Sequence, residues 1–133
     1  MIQIPAPCLN FETSFLVMPK DTNYMQPLIF GGVFMAQLDI AAASLVHRCV
    51  AHSQVVNNAV TYKASFEFVG PANQGDLVVM VAKLTEAKGK HLCITVDGTK
   101  EEPNTLTKIL VVRAHFVFVT RNNNEYLRHD LTI

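Results

Sequence analysis

Tryptophan is absent from this sequence, and cysteine, glycine and proline are sparse, at three, six and six residues. Each shortage excludes something. Cys8, Cys49 and Cys93 are odd in number and far apart, so they neither frame a disulfide scaffold nor match a metal-ligand spacing. The five histidines are equally scattered, and no metal or cofactor is expected. Neither charge predominates: eleven Lys and Arg face eleven Asp and Glu. That balance gives no general field to draw nucleic acid or an anionic membrane. No basic start followed by an apolar run marks a secretion signal, so the expected setting is cytoplasmic, with reduced thiols. Half of the 133 residues are hydrophobic, too many for a disordered chain. That length suffices to close one core, and a single domain over 1–133 is expected.

The scarcity of breakers has a local consequence. After Phe30-Gly31-Gly32, no Gly or Pro occurs until Gly70, and Val33 to Ala51 is rich in helix formers. About twenty residues of helix span roughly 30 Å. Apolar residues occur nearly all the way round, which predicts a helix buried on every side. Its polar interruptions and charged centre make it a poor membrane span. Asp39 is out of place there: three and four residues away lie Met35, Ala36, Ala42 and Ala43, none of which pairs a carboxylate. A carboxylate in such a setting must find a partner or shift its pKa, so Asp39 is the leading functional candidate. Gly31-Gly32 leaves amides at the helix start that can hold a developing negative charge.

Around this helix the pattern is of strands. Phe11 to Met18 reads as a short first strand, followed by a polar, Pro-bracketed loop from Pro19 to Pro27. From Val60 the period is two, with Val60, Tyr62, Ala64, Phe66 and Phe68 on one face and Thr61, Lys63, Ser65 and Glu67 on the other. Leu77 to Leu84, apolar on both faces, suggests a central strand. Glu86 to Lys90 reads as a hairpin tip, and His91 to Asp97 as the return. Asp97-Gly98 is expected to open a long excursion through Pro103. Thr107 to Thr120 forms a last strand before a polar tail. The expected class is α+β, an antiparallel sheet wrapped about one central helix.

Met18-Pro19-Lys20-Asp21-Thr22-Asn23, Phe30-Gly31-Gly32, Gln37-Leu38-Asp39-Ile40 and the stretch from Phe68 to Asp76 occur in an order and spacing that resembles the hotdog-fold acyl-CoA thioesterases. The bacterial short- and medium-chain acyl-CoA hydrolases are the most similar group. The resemblance spans roughly Phe15 to Arg121. It implies a sheet rolled about the helix, protomers joined edge to edge as a homodimer or higher homo-oligomer, and active sites at that interface. It also implies catalytic roles for Asp39 on the helix, for Asn23 from the preceding loop across the dimer, and for the Gly31-Gly32 backbone as oxyanion donor. Two departures stand out. The segment Tyr24 to Ile29 is one residue longer than in relatives and lacks their Gly, and Gly70 stands where a basic residue often precedes the Pro.

Thioester hydrolysis requires an activated water, or direct attack by a carboxylate, and donors for the oxyanion. On this reading Asp39 is general base or nucleophile, the Gly32 amide takes the oxyanion, and Asn23 orients water or carbonyl. The substrate, an acyl-CoA, is expected to meet Phe30 and Gly31. Its phosphates call for a local basic patch, for which Lys88 and Lys90 are best placed, with His91 and Lys63 behind them; a solvated turn is the competing explanation. Neither nucleic acid nor membrane is an expected partner. A catalytically silent acyl-CoA-binding module is the alternative. A hotdog dehydratase ranks last, because no His precedes residue 47.

Overall fold

The computed structural model describes the whole chain, residues 1–133. Its elements are β1 (Ile2–Gln3), β2 (Asn10–Leu16), α1 (Gly31–Val50), β3 (Asn58–Phe68), β4 (Leu77–Lys88), β5 (His91–Glu101), β6 (Lys108–Asn122), β7 (Glu125–Tyr126) and β8 (Leu131–Thr132). The main sheet has the order β2-β4-β5-β6-β3, antiparallel throughout, with β7 extending the end of β6. The two strands that flank α1 in sequence therefore form the two edges of the sheet. The helix packs against β2, β3, β4 and β5, lying in the curl that the twisted strands make. This is the expected helix within a rolled antiparallel sheet.

The helix begins at Gly31 behind Phe30, whose extended backbone (φ −73°, ψ 133°) provides no side-chain cap. Its last turn carries His47 and Arg48, which suit the negative end of the helix dipole. Phe34, Leu38, Ala41, Ala42, Leu45, Val46, Cys49 and Val50 are buried, a stripe at helical spacing. Phe34 meets Phe15 edge to face, with centroids 6.0 Å apart, and burying such a ring contributes up to about 3 kcal/mol. The expectation of burial on every side fails: Ile40 is 60% exposed and Met35 38%. One sheet covers one side of a helix, and the apolar strip on the other side faces out. By length and composition alone the helix could cross a membrane, yet its core stripe is packed against strands.

Four further expectations need correction. Asp97-Gly98 is no turn; β5 runs on to Glu101, and the turn falls at 102–107, closed by Glu102 N–H donating to Thr107 O at 2.9 Å. Gly98 is needed for close approach, because a Cβ there would lie 2.6 Å from Val112 Cγ1. Thr107 to Thr120 is not the last strand: β7 and β8 follow it, and β8 pairs in parallel with β1, Ile2 opposite Leu131. Strict alternation along β3 also breaks, at a bulge between Thr61 and Lys63, with consequences for the site. The first strand spans Asn10–Leu16 rather than Phe11 to Met18.

Candidate active site

Residues opposite one another in an antiparallel pair share a face. Phe116, Phe118 and Ala114 are buried on the helix side of β6, and their partners on β3 are Ala64, Thr61 and Phe66. Val60, Lys63, Ser65 and Glu67 pair with Val119, Val117, His115 and Arg113 and lie on the other face. The extra residue at the bulge, Tyr62, thus moves Thr61 onto the helix side, opposite to what unbroken alternation predicts. There its hydroxyl donates to Asp39 Oδ1 at 2.9 Å. Asp39 is half-buried, one turn beyond Met35 on the flank between the core stripe and the outward strip. Period-two reading missed Thr61 for this reason, and a one-residue bulge leaves no mark in a hydrophobic pattern.

The helix start is open. Phe34 N–H donates to Phe30 O at 3.1 Å as the first bond of the ladder, leaving the amides of Gly31, Gly32 and Val33 without backbone acceptors. A Cβ at Gly31 would meet nothing within 4 Å, so an oxygen can approach these donors closely. Phe30 beside them is 54% exposed.

Asn23 lies in the loop before the helix. The loop is closed by bridges between Thr22 and Ile29 and between Leu28 and Asn73, and by Asn23 N–H donating to Leu28 O at 2.8 Å. Asn23 Oδ1 accepts from Met25 N–H at 2.9 Å, which leaves the side-chain NH₂ as a free donor. Tyr24 at the tip is 93% exposed. Asp21, quoted in the motif but given no role, anchors this loop. Its carboxylate accepts Met18 N–H at 3.0 Å and Lys20 Nζ at 2.9 Å, and its carbonyl accepts Phe30 N–H at 2.8 Å. The bond from Lys20, then that from the Met18 amide, hold its pKa below the ordinary carboxylate value.

Within one chain these groups do not converge. Gly32 and Asp39 lie seven residues apart on the same helix, roughly 10 Å of rise. Two groups that each touch one reacting carbonyl and its attacking water must lie nearer than that. Lys88 and Lys90 flank the β4–β5 turn and border one cavity of about 430 Å³. Lys63 sits on the outer face of β3 and borders neither that cavity nor the one adjoining it. No group of three or more His, Cys, Asp or Glu side chains is close enough to hold a metal ion. Cys49 is buried, and burial, with Cys8 nearby, pushes its thiol up to about 11.

The sequence pattern of the thioesterase superfamily matches residues 26–107, from the pre-helix loop through the turn after β5. The chain belongs to the thioesterase superfamily. No curated protein matches the sequence. Among solved structures, the chain is similar to an acyl-CoA hydrolase from Staphylococcus aureus in complex with butyryl coenzyme A, coenzyme A and coenzyme A disulfide. That likeness has a TM-score of 0.83 and 22% identity over 96% of this chain and 74% of the other. The hexameric thioesterase y2039 from Yersinia pestis gives 0.75 and 24%, over 88% and 92%. HI0827, a hexameric broad specificity acyl-coenzyme A thioesterase, gives 0.75 and 26%, over 87% and 83%. These likenesses establish the hotdog fold. The Staphylococcus aureus hydrolase has also been solved as alanine mutants of one asparagine, one aspartate and one threonine.

Proposed function

We propose that this superfamily member hydrolyses acyl-CoA to free acid and coenzyme A at a site shared between two copies of the chain. The observation that carries the reading is the Asp39 carboxylate, held by Thr61 on a helix whose N-terminal amides are unoccupied. A carboxylate, a hydroxyl that orients it and a set of open amides are the parts that thioester hydrolysis uses. The structural relatives are thioesterases acting on coenzyme A thioesters, and three residue types mutated in one of them are those of Asn23, Asp39 and Thr61.

On this reading the thioester carbonyl lies at the Gly31 and Gly32 amides of one protomer, with Asn23 donating its NH₂. Asp39 comes from the partner and accepts the proton of the attacking water, or attacks directly. The edge strand β3 supports the pairing. It offers eleven residues with no neighbour on one side, and an uncovered edge of that length is ordinarily met by another strand. Edge-to-edge pairing of two β3 strands would join the sheets and bring the helices of both copies toward the dyad. Phe30 lies by the acyl group, and Lys88 and Lys90 serve the phosphates.

The experiment is free-thiol release from a panel of acyl-CoAs by wild type and Asp39→Ala. Wild-type turnover that disappears in a folded, still oligomeric variant is the expected result. Equal turnover in both would remove Asp39 from the mechanism. A folded wild type that binds acyl-CoA without cleaving it would leave a binding module.

A further inference from the structure

The cavity beside the β4–β5 turn has a wall that lies outside the matched superfamily region, built by the last residues of the chain. Thr120 donates its N–H to Lys90 O at 2.8 Å, and its hydroxyl donates to Leu127 O at 2.7 Å. The segment then crosses the turn, where His129 N–H donates to Gly89 O at 3.0 Å. The His129 ring is buried. Its Nδ1 accepts Leu131 N–H at 3.1 Å, so the proton sits on Nε2, which donates to His91 O at 3.0 Å. This latch places Arg128 in the cavity with Lys88, Lys90 and His91.

Charge in that cavity is one-sided. The ion pairs of the chain are Lys20–Asp21, Lys100–Asp76 and Arg113–Asp97, so Lys88, Lys90 and Arg128 are unpaired. Glu86 is the one carboxylate facing them, and His91 and Cys93 are the remaining titratable groups. Burial, with Glu86 adding to it, raises the pKa of the Cys93 thiol. Three unpaired cations against one anion make a positive pocket in a chain of zero net charge. An arginine among them adds the planar fork that fits phosphate oxygens. An adjoining cavity of about 480 Å³ shares Lys90 and His91, carries Tyr62 and Tyr126, and reaches Thr61. Tyr62 stacks on His91 at 5.8 Å, and the Thr61 hydroxyl touches Asp39. Val60, Val119 and His91 share the outer face of the sheet, so both cavities lie there, and Thr61 on the β3 edge faces the helix side with Asp39.

We infer that this tail-closed cavity binds the nucleotide phosphates of the coenzyme A thioester, with Arg128 as its principal ligand. The inference rests on the thioesterase reading and adds to it a site that sets preference for thioesters bearing a nucleotide. Gly70, bare where relatives often carry a basic residue, fits a chain that holds its phosphates elsewhere.

The test compares one acyl group presented on coenzyme A and on pantetheine, which lacks the nucleotide, using wild type, Arg128→Gln and Lys90→Gln. A second arm measures adenosine 3′,5′-bisphosphate binding by calorimetry, and melting curves confirm folding. In wild type the coenzyme A thioester has the lower KM. Arg128→Gln raises that KM about tenfold, as expected for one charge-assisted contact, moving the ratio of the two KM values toward one, and weakens bisphosphate binding similarly. An Arg128→Gln protein with wild-type KM ratio and wild-type bisphosphate affinity overturns the inference. If wild type cleaves neither thioester yet binds the bisphosphate through Arg128, the hydrolase reading fails and the phosphate site stands. Absent cleavage and absent binding would overturn both.

Discussion

The Asp39–Thr61 contact joins two elements whose sequence patterns each read plainly and whose meeting does not. On the proposed mechanism Thr61 acts on the reaction through Asp39, by fixing which way the carboxylate points. Thr61→Val keeps the shape and removes the hydroxyl, and kcat should fall on the order of tenfold to a hundredfold, with Thr61→Ser restoring most of it. Equal kcat in Thr61→Val would make the contact merely structural. Asp21 behaves differently. Because its folded pKa lies below its unfolded value of 3.8, its stabilising contribution is complete above that value. It is lost as pH falls through the lower, folded value. Asp21→Asn should therefore melt below wild type at pH 7, and the gap should close as the pH is lowered past 3.8. A gap that persists unchanged into acid would mean that the Met18 and Lys20 bonds contribute nothing.

Among the elements, β5 shows how a single residue decides where a strand ends. Gly after Asp normally signals a turn, and here the pair lies within the strand, with Gly98 buried against Val112 and Phe34. Gly98→Ala brings a Cβ within 2.6 Å of Val112 Cγ1, an overpacking that should destabilise by about 1–3 kcal/mol. Chemical denaturation measures it; a neutral result would mean that Val112 rotates aside freely. The bulge in β3 is the second such decision. The five long strands and their order along the chain were legible from apolar runs and turn residues, whereas the short strands β1, β7 and β8, a bulge and an in-strand glycine depend on what packs across from them. Local pattern carries no trace of those neighbours. Helix limits were legible within two residues, because Gly31-Gly32 and the absence of later breakers mark them in the sequence itself.

At the scale of the molecule, the proposed pairing of two copies accounts for both the outward apolar strip of α1 and the open edge of β3. Asp39 and Gly32 of one helix are too far apart to share a substrate, so the proposed site exists only between protomers. Mixing inactive Asp39→Ala with inactive Asn23→Ala protein, after subunit exchange, should then restore activity. Random pairing of two protomers leaves roughly a quarter of the sites carrying both intact residues. Light scattering on the same samples should give an even number of chains. No recovery despite verified exchange would place Asn23 and Asp39 in one protomer's site.

The sequence by itself determined the helix, the strand order along the chain, the candidate carboxylate and the likeness to the thioesterases. Those rest on periodicity, turn residues and short motifs, which are local properties of a chain. Tertiary structure alone decided that Thr61 meets Asp39, that β2 and β3 form the sheet edges, and that the polar tail closes a cavity with Arg128 and His129. Each of these joins residues distant in sequence through a bulge, a crossover or a buried hydrogen bond. Such meetings are set by packing in three dimensions, to which the spacing of residues along the chain gives no key.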